Sequence, residues 1–100
     1  MIDLSDKQRG IISGILQTHA SGYEVRAYGS RVNGTSHAGS DLDLVVIGNE
    51  KPGWENIAKL KEAFEESNLP FRVDILDWNS IPESFQKNIK RQYTVLQEKH

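Results

Sequence analysis

Apolar positions recur along this chain in two periods, one helical and one alternating. Ile11, Ile12, Ile15 and Leu16 fall on one helical face. Ser5, followed three places later by Gln8, supplies a capping box for that helix, which is expected from about residue 5 to residue 19. Ser21-Gly22 breaks it, and Tyr23 to Tyr28 has strand composition that stops at Gly29-Ser30. Residues 29 to 40 mix Gly29, Gly34 and Gly39 with Ser30, Thr35, Ser36 and Ser40, which is loop chemistry around one short helical turn. Leu42 to Ile47 reads LDLVVI, apolar on both faces beyond Asp43, as expected of a central strand covered on both sides. After a connection from Gly48 to Gly53 that contains Pro52, Ile57, Leu60 and Phe64 return to helical spacing with Ala63 beside them. Asn68-Leu69-Pro70 ends this second helix. Phe71, Val73 and Ile75 then alternate with Arg72, Asp74 and Leu76 as a third strand. Ser80 and Glu83 form a second capping box, with Pro82 tolerated in the first turn, for a final helix running towards Leu96.

The pattern predicts an α+β fold, a small mixed β-sheet with flanking helices, and the 100 residues suit one domain, 1–100. So short a chain buries a modest share of its surface, so a second copy or another subunit is an expected source of stability. The net charge of -2 and the dispersal of the 12 basic residues argue against a nucleic-acid partner. With no cysteine there is neither a disulfide framework nor a thiolate metal site. No apolar run is long enough to span a bilayer, and the acidic, polar start Met1-Ile2-Asp3-Leu4-Ser5-Asp6 is unlike a signal peptide. A soluble, cytoplasmic protein without membrane contact is the expectation.

The candidate chemistry is acidic. Asp41 and Asp43 stand two apart at the start of the second strand, so their side chains point to one side. Paired like charges call for a cation or a shared proton, and hard oxygen ligands favour Mg2+ or Mn2+. Alone, the pair is weak evidence, and a loop end followed by an exposed strand residue is the favoured account of it. Asp74 lies inside the third strand between Val73 and Ile75, where a carboxylate is disfavoured unless paired, protonated or metal-bound. If the second and third strands pair in register, Asp74 joins Asp43; if not, it faces solvent, and the pattern divides evenly between the two. Tyr28-Gly29-Ser30-Arg31 ends a strand at glycine and a small hydroxyl residue, a turn suited to a phosphate. It is neither a Walker A loop nor a dinucleotide fingerprint.

Together these residues form one plan. The segment YGSRVNGTSHAGSDLDLVV, followed by FRVDILDW, resembles the polymerase-beta-type nucleotidyltransferase superfamily, whose signature is Gly-Ser, a spacer, then Asp-x-Asp on a strand. Among its members the chain looks closest to the minimal nucleotidyltransferases, MNT domains, that pair with a helical HEPN protein in toxin-antitoxin modules. The resemblance implies a polymerase-beta-like nucleotidyltransferase fold. It implies that Asp41, Asp43 and Asp74 are catalytic and hold Mg2+ or Mn2+, with Asp74 assisting the acceptor hydroxyl. Gly29 and Ser30 would hold the outer phosphates of ATP or another nucleoside triphosphate, with Arg31 and Ser40 beside them. For Arg31, a partner acid at the surface is an equal expectation. Asn33 departs from the pattern, standing near the place where many minimal members have a second basic residue. His37 in the loop, and the rings of Trp54, Trp78 and Tyr93, are given no role at the nucleotide.

The implied activity is metal-dependent transfer of a nucleoside monophosphate, AMP for preference, from NTP to a hydroxyl acceptor on a HEPN-type partner toxin, with release of pyrophosphate, so that the chain acts as antitoxin. The rival is a catalytically weak binding module that neutralises the same partner by covering it.

Overall fold

The computed structural model describes residues 4–37, 39–48 and 54–98. The connection expected from Gly48 to Gly53 lies outside the described residues beyond Gly48, as do the first three residues and the side chain of Trp54.

Helix α1 runs Asp6–His19 and opens on the expected capping box: the Gln8 amide donates to Ser5 Oγ at 3.1 Å, and the Ser5 amide donates to Gln8 Oε1 at 3.0 Å. Strand β1 (Glu24–Tyr28) leads into the four-residue helix α2 (Ser30–Asn33), and β2 (Leu42–Ile47), α3 (Trp54–Glu65) and β3 (Val73–Asp77) follow. The sheet order is β3-β2-β1 and then a fourth strand, with β1 and β2 antiparallel and β2 and β3 parallel. Parallel neighbours need a crossover, which α3 supplies.

The alternation in β1 and β2 sorts the sheet into two faces. Val25, Ala27, Leu42, Leu44 and Val46 are buried with Ile12 and Leu16 of α1, Leu60 and Phe64 of α3 and Ile75 of β3, which forms the core. The opposite face carries Arg26, Tyr28, Asp43, Val45 and Asp74 by register. Val45 is fully buried there, so β2 is covered on both sides, as its composition predicts.

The C-terminal quarter differs from the sequence expectation. Ser80 does not cap a helix. It closes a 3-10 turn, Trp78–Ser80, whose cap is Asp77, accepting from the Asn79 amide at 3.1 Å and the Ser80 hydroxyl at 3.0 Å. Pro82 takes the cap position of helix α4 (Glu83–Arg91) without a side-chain bond. The helix does not continue to Leu96: Thr94–Gln97 is strand β4, antiparallel to β1. The free edge of β1 offers unpaired backbone groups that an extended segment satisfies. Gln97 secures the strand, donating to the carbonyls of Ala20 at 2.8 Å and Tyr23 at 2.9 Å.

Candidate active site

Three elements bring the acids to one end of the sheet, on the face that α1 and α3 leave open. In register, Asp43 faces Tyr28 on one side and Asp74 on the other. Equal register in neighbouring strands puts the two carboxylates on the same face about 5 Å apart at the backbone. The pairing between β2 and β3 that the sequence left open is therefore the one that gathers the acids. Asp41, two residues before Asp43, joins them electrostatically.

Burial pushes the Asp43 carboxyl above its ordinary value, and the negative charges of Asp74 and then Asp41 push it further, against an opposing pull from Arg72. The Tyr28 hydroxyl responds to the same field and is pushed up to about 12, first by burial and then by Asp43 and Asp74. Arg72 supplies the local positive charge. Its Nη2 lies 3.5 Å from Asp41 Oδ2 and its Nε 3.4 Å from Asp74 Oδ1. Among the described residues, no three carboxylate or imidazole groups are gathered tightly enough to hold a metal as they stand. The bridge that spaces Asp41 and Asp74 is weak, because the Arg72 side chain is 72% exposed and the two acids are 42% and 43% exposed. Ion pairs so exposed contribute roughly 0–1 kcal/mol, which a divalent cation outcompetes. The donor set, three carboxylates of which the middle one, Asp43, is already pushed towards its protonated form, fits a hard cation.

Gly29 fits against this cluster because it lacks a side chain. Its φ is +83° with ψ -157°, a backbone region essentially restricted to glycine, and a Cβ there would overlap the Asp43 carboxylate. It caps α2 with no side chain, and Ser30 is the first residue of the helix.

Arg31 and Ser40, expected beside the phosphates, are engaged with each other and with the loop that leads to β2. Arg31 is buried to 4% exposure; its Nε and Nη2 donate to the Ser40 carbonyl at 3.0 and 2.9 Å, and its guanidinium lies 3.9 Å over the Phe71 ring. This arginine anchors the residue that precedes Asp41. Ser40 in turn closes the loop, its hydroxyl accepting from the His37 amide at 2.9 Å. His37 Nδ1 accepts from the Gly39 amide at 3.2 Å. Asn33 caps its own turn, its Oδ1 accepting from the Thr35 hydroxyl at 2.6 Å. Trp78 and Tyr93 flank the Arg26 guanidinium at 5.8 and 4.3 Å. Arg31→Lys is expected to lower unfolding free energy in urea by about 1.5–3 kcal/mol, because an ammonium cannot reproduce the paired donors or the stacking.

Two concavities flank the acids. One, of about 510 Å3, is lined by Asp43, Asp74, Arg72 and β3, with Lys61 and Glu65 of α3 opposite. The other, of about 330 Å3, lies beside Gly29, between Asn33 of α2 and Phe85 and Asn88 of α4, with Gln92 just past that helix. Tyr28 lines both, and its ring meets Phe85 edge-on at 6.0 Å. Sequence reasoning singled out neither Tyr28 and Arg72, which stand beside the acids, nor Lys61 and Glu65, which line the far side of the cleft. Arg72 had a visible signal, sharing the strand face of Asp74 two places on; Lys61 and Glu65 had none beyond helical spacing.

The family model for "Polymerase beta, Nucleotidyltransferase" matches residues 11–100, nearly the whole chain. The chain belongs to this nucleotidyltransferase family. It is 44% identical over 98 residues to the probable protein adenylyltransferase MntA of Haemophilus influenzae, covering 98% of this chain and 86% of that protein. Its fold matches a chain in the crystal structure of a toxin-antitoxin with AMP-PNP, with TM-score 0.68 and 23% identity over 92% of this chain and 74% of that one. It also matches a chain in a mutant MntA-HpeT toxin-antitoxin complex, with TM-score 0.74 and 19% identity over the same shares. At such identities the structural likenesses establish the fold. The family match makes the protein a nucleotidyltransferase, and no described helix is long and apolar enough to cross a membrane.

Proposed function

We propose that this nucleotidyltransferase transfers AMP from ATP to a hydroxyl on a partner protein, a HEPN-type toxin that it thereby silences as antitoxin. The observation that carries this reading is the placement of Gly29 directly against Asp43, with Asp74 on the far side of that carboxylate. A triphosphate whose outer phosphates rest on Gly29 and Ser30 has its α-phosphate beside the acids. The adjoining 330 Å3 concavity, with the Phe85 ring and the amides of Asn88 and Gln92, has the size and lining to take the nucleoside. The 44% identity to a probable protein adenylyltransferase supports AMP as the group and a protein as the acceptor.

Asp41, Asp43 and Asp74 would hold Mg2+ or Mn2+, which when bound supplies charge neutralisation at the attacking and leaving oxygens. The residues of the chain do the positioning. The acceptor hydroxyl oxygen forms a bond to the α-phosphorus as the bond from that phosphorus to the bridging oxygen breaks. Pyrophosphate departs on the Gly29 side, and the hydroxyl proton passes to Asp74. Arg72, displaced from Asp41 and Asp74, remains as a nearby cation.

The test is incubation with α-labelled ATP and Mg2+, with and without the HEPN-type partner, comparing native protein with the double variant Asp41→Ala/Asp43→Ala. Label on the partner with native protein alone is the expected result. A stable complex without label in either version would replace this reading with a neutralising module that acts by binding.

A further inference from the structure

The sheet arranges its groups in a line. Gly29 directly follows β1, Asp43 lies on β2, Asp74 on β3, and beyond β3 there is no further strand among the described residues. In-line displacement requires nucleophile and leaving group on opposite sides of phosphorus. With pyrophosphate held at Gly29, the hydroxyl enters from the β3 side.

That side is built to take a polypeptide. The Leu42 amide donates to the Arg72 carbonyl at 2.9 Å, and Leu42 is in register with Val73. In a parallel ladder this commits the backbone of Arg72 and Asp74 to β2 and turns the N-H and C=O groups of Val73 and Ile75 outwards, where Val73 is partly exposed and Ile75 is covered. Among the described residues no backbone bond reaches them. Along this open edge runs the 510 Å3 cleft, whose floor includes Asp74 and whose far wall is Lys61 and Glu65, both exposed.

We propose that this cleft between β3 and α3 docks the acceptor protein as an extended segment, hydrogen-bonded to the outward backbone groups of Val73, with its hydroxyl-bearing residue turned onto Asp74. The inference rests on the transfer reading above, and adds where and in what conformation the acceptor binds. Addition of a strand to a free sheet edge derives affinity from the backbone and selectivity from flanking side chains. Lys61 and Glu65 then read the charges beside the modified residue. An unprotected edge strand is also a hazard for unwanted pairing, which an obligate partner removes.

The experiment compares native protein with Lys61→Glu and with Glu65→Trp, the second filling the cleft, using ATP, Mg2+ and the HEPN-type partner as acceptor. Both positions are exposed on α3, so the fold tolerates the changes. The expected result is a KM for the acceptor raised about tenfold or more in Glu65→Trp, with the Kd for a fluorescent ATP analogue unchanged. Hydrogen exchange in the native complex is expected to slow at the amide of Val73. An unchanged acceptor KM with no protection at β3, while AMP is still transferred, would overturn the dock and leave the transfer intact. A loss of ATP affinity in Glu65→Trp would overturn it too, by giving the cleft to the nucleotide. Native protein that binds ATP but labels no acceptor would overturn the transfer reading and the dock together.

Discussion

Asp43→Asn is expected to lower AMP transfer by about a thousandfold or more while raising the melting temperature of the metal-free protein at neutral pH. The first effect follows from removing the central charge of the acid cluster, since electrostatic groups that act at the reacting phosphorus carry losses of about that order. The second follows from the direction in which the folded state moves this carboxyl. Burial, Asp74 and Asp41 raise it above its ordinary value, so the fold holds the proton more tightly than the unfolded chain does. Below the ordinary carboxylate range both states are protonated and nothing is lost. As pH rises from there through the raised folded-state value, the unfolded chain ionises first and stability falls, reaching a constant deficit above. Asparagine never ionises and escapes this deficit. Thermal melts from pH 3 to pH 8 in chelator should therefore show the variant above native at neutral pH, with the gap closing in acid. Adding Mg2+ should raise native and leave the variant behind, because a ligand stabilises only the state that binds it. A variant no more stable than native at neutral pH in chelator would mean that the cluster is not a site of repulsion.

Gly29→Ala is expected to be the most damaging single methyl group in the chain. The backbone conformation at φ +83° and ψ -157° is one that an L side chain adopts at a cost of about 1–3 kcal/mol. The added Cβ would also overlap Asp43, on the adjacent strand, so relief requires moving the carboxylate or the turn. Stability in urea should fall by roughly the strain cost, and transfer should fall further than stability accounts for, because both phosphate turn and carboxylate shift. The discriminating measurement is activity at a temperature where the variant remains folded. Gly34, at φ +85°, is a useful control, since a Cβ there meets open space. Gly34→Ala should share the strain without the loss of transfer.

Much of the site was legible from local pattern because local geometry decides it. The two-residue period of a strand puts Asp41 and Asp43 on one side wherever the strand lies, and a strand that halts at Gly29-Ser30 makes its turn for reasons of backbone freedom alone. The Ser5 and Gln8 capping box likewise involves partners three residues apart, and it forms as written. The family resemblance rested on the same short-range signals, and the match over residues 11–100 upholds it.

What the sequence left undetermined involves partners far apart in the chain. Asp74 meets Asp43 only because β3 lies parallel to β2 in that register, an outcome of how α3 packs across the sheet and not of any residue near Asp74. Strand β4 has weak local identity, and it forms because β1 has a free edge and because Gln97 reaches carbonyls 77 and 74 positions earlier. Arg31 reads as a surface cation near a phosphate turn until Phe71, forty positions on, stacks against it and the Ser40 carbonyl takes its donors. Arg72 and the cleft facing Lys61 and Glu65 appear only once β3 is the edge strand. The sequence by itself determined the candidate chemistry, three acids and a glycine turn, because side-chain type and short-range spacing are local properties. Tertiary structure decided which acids meet, which arginine bridges them and which cleft they border, because those depend on strand order and register, which long-range packing sets.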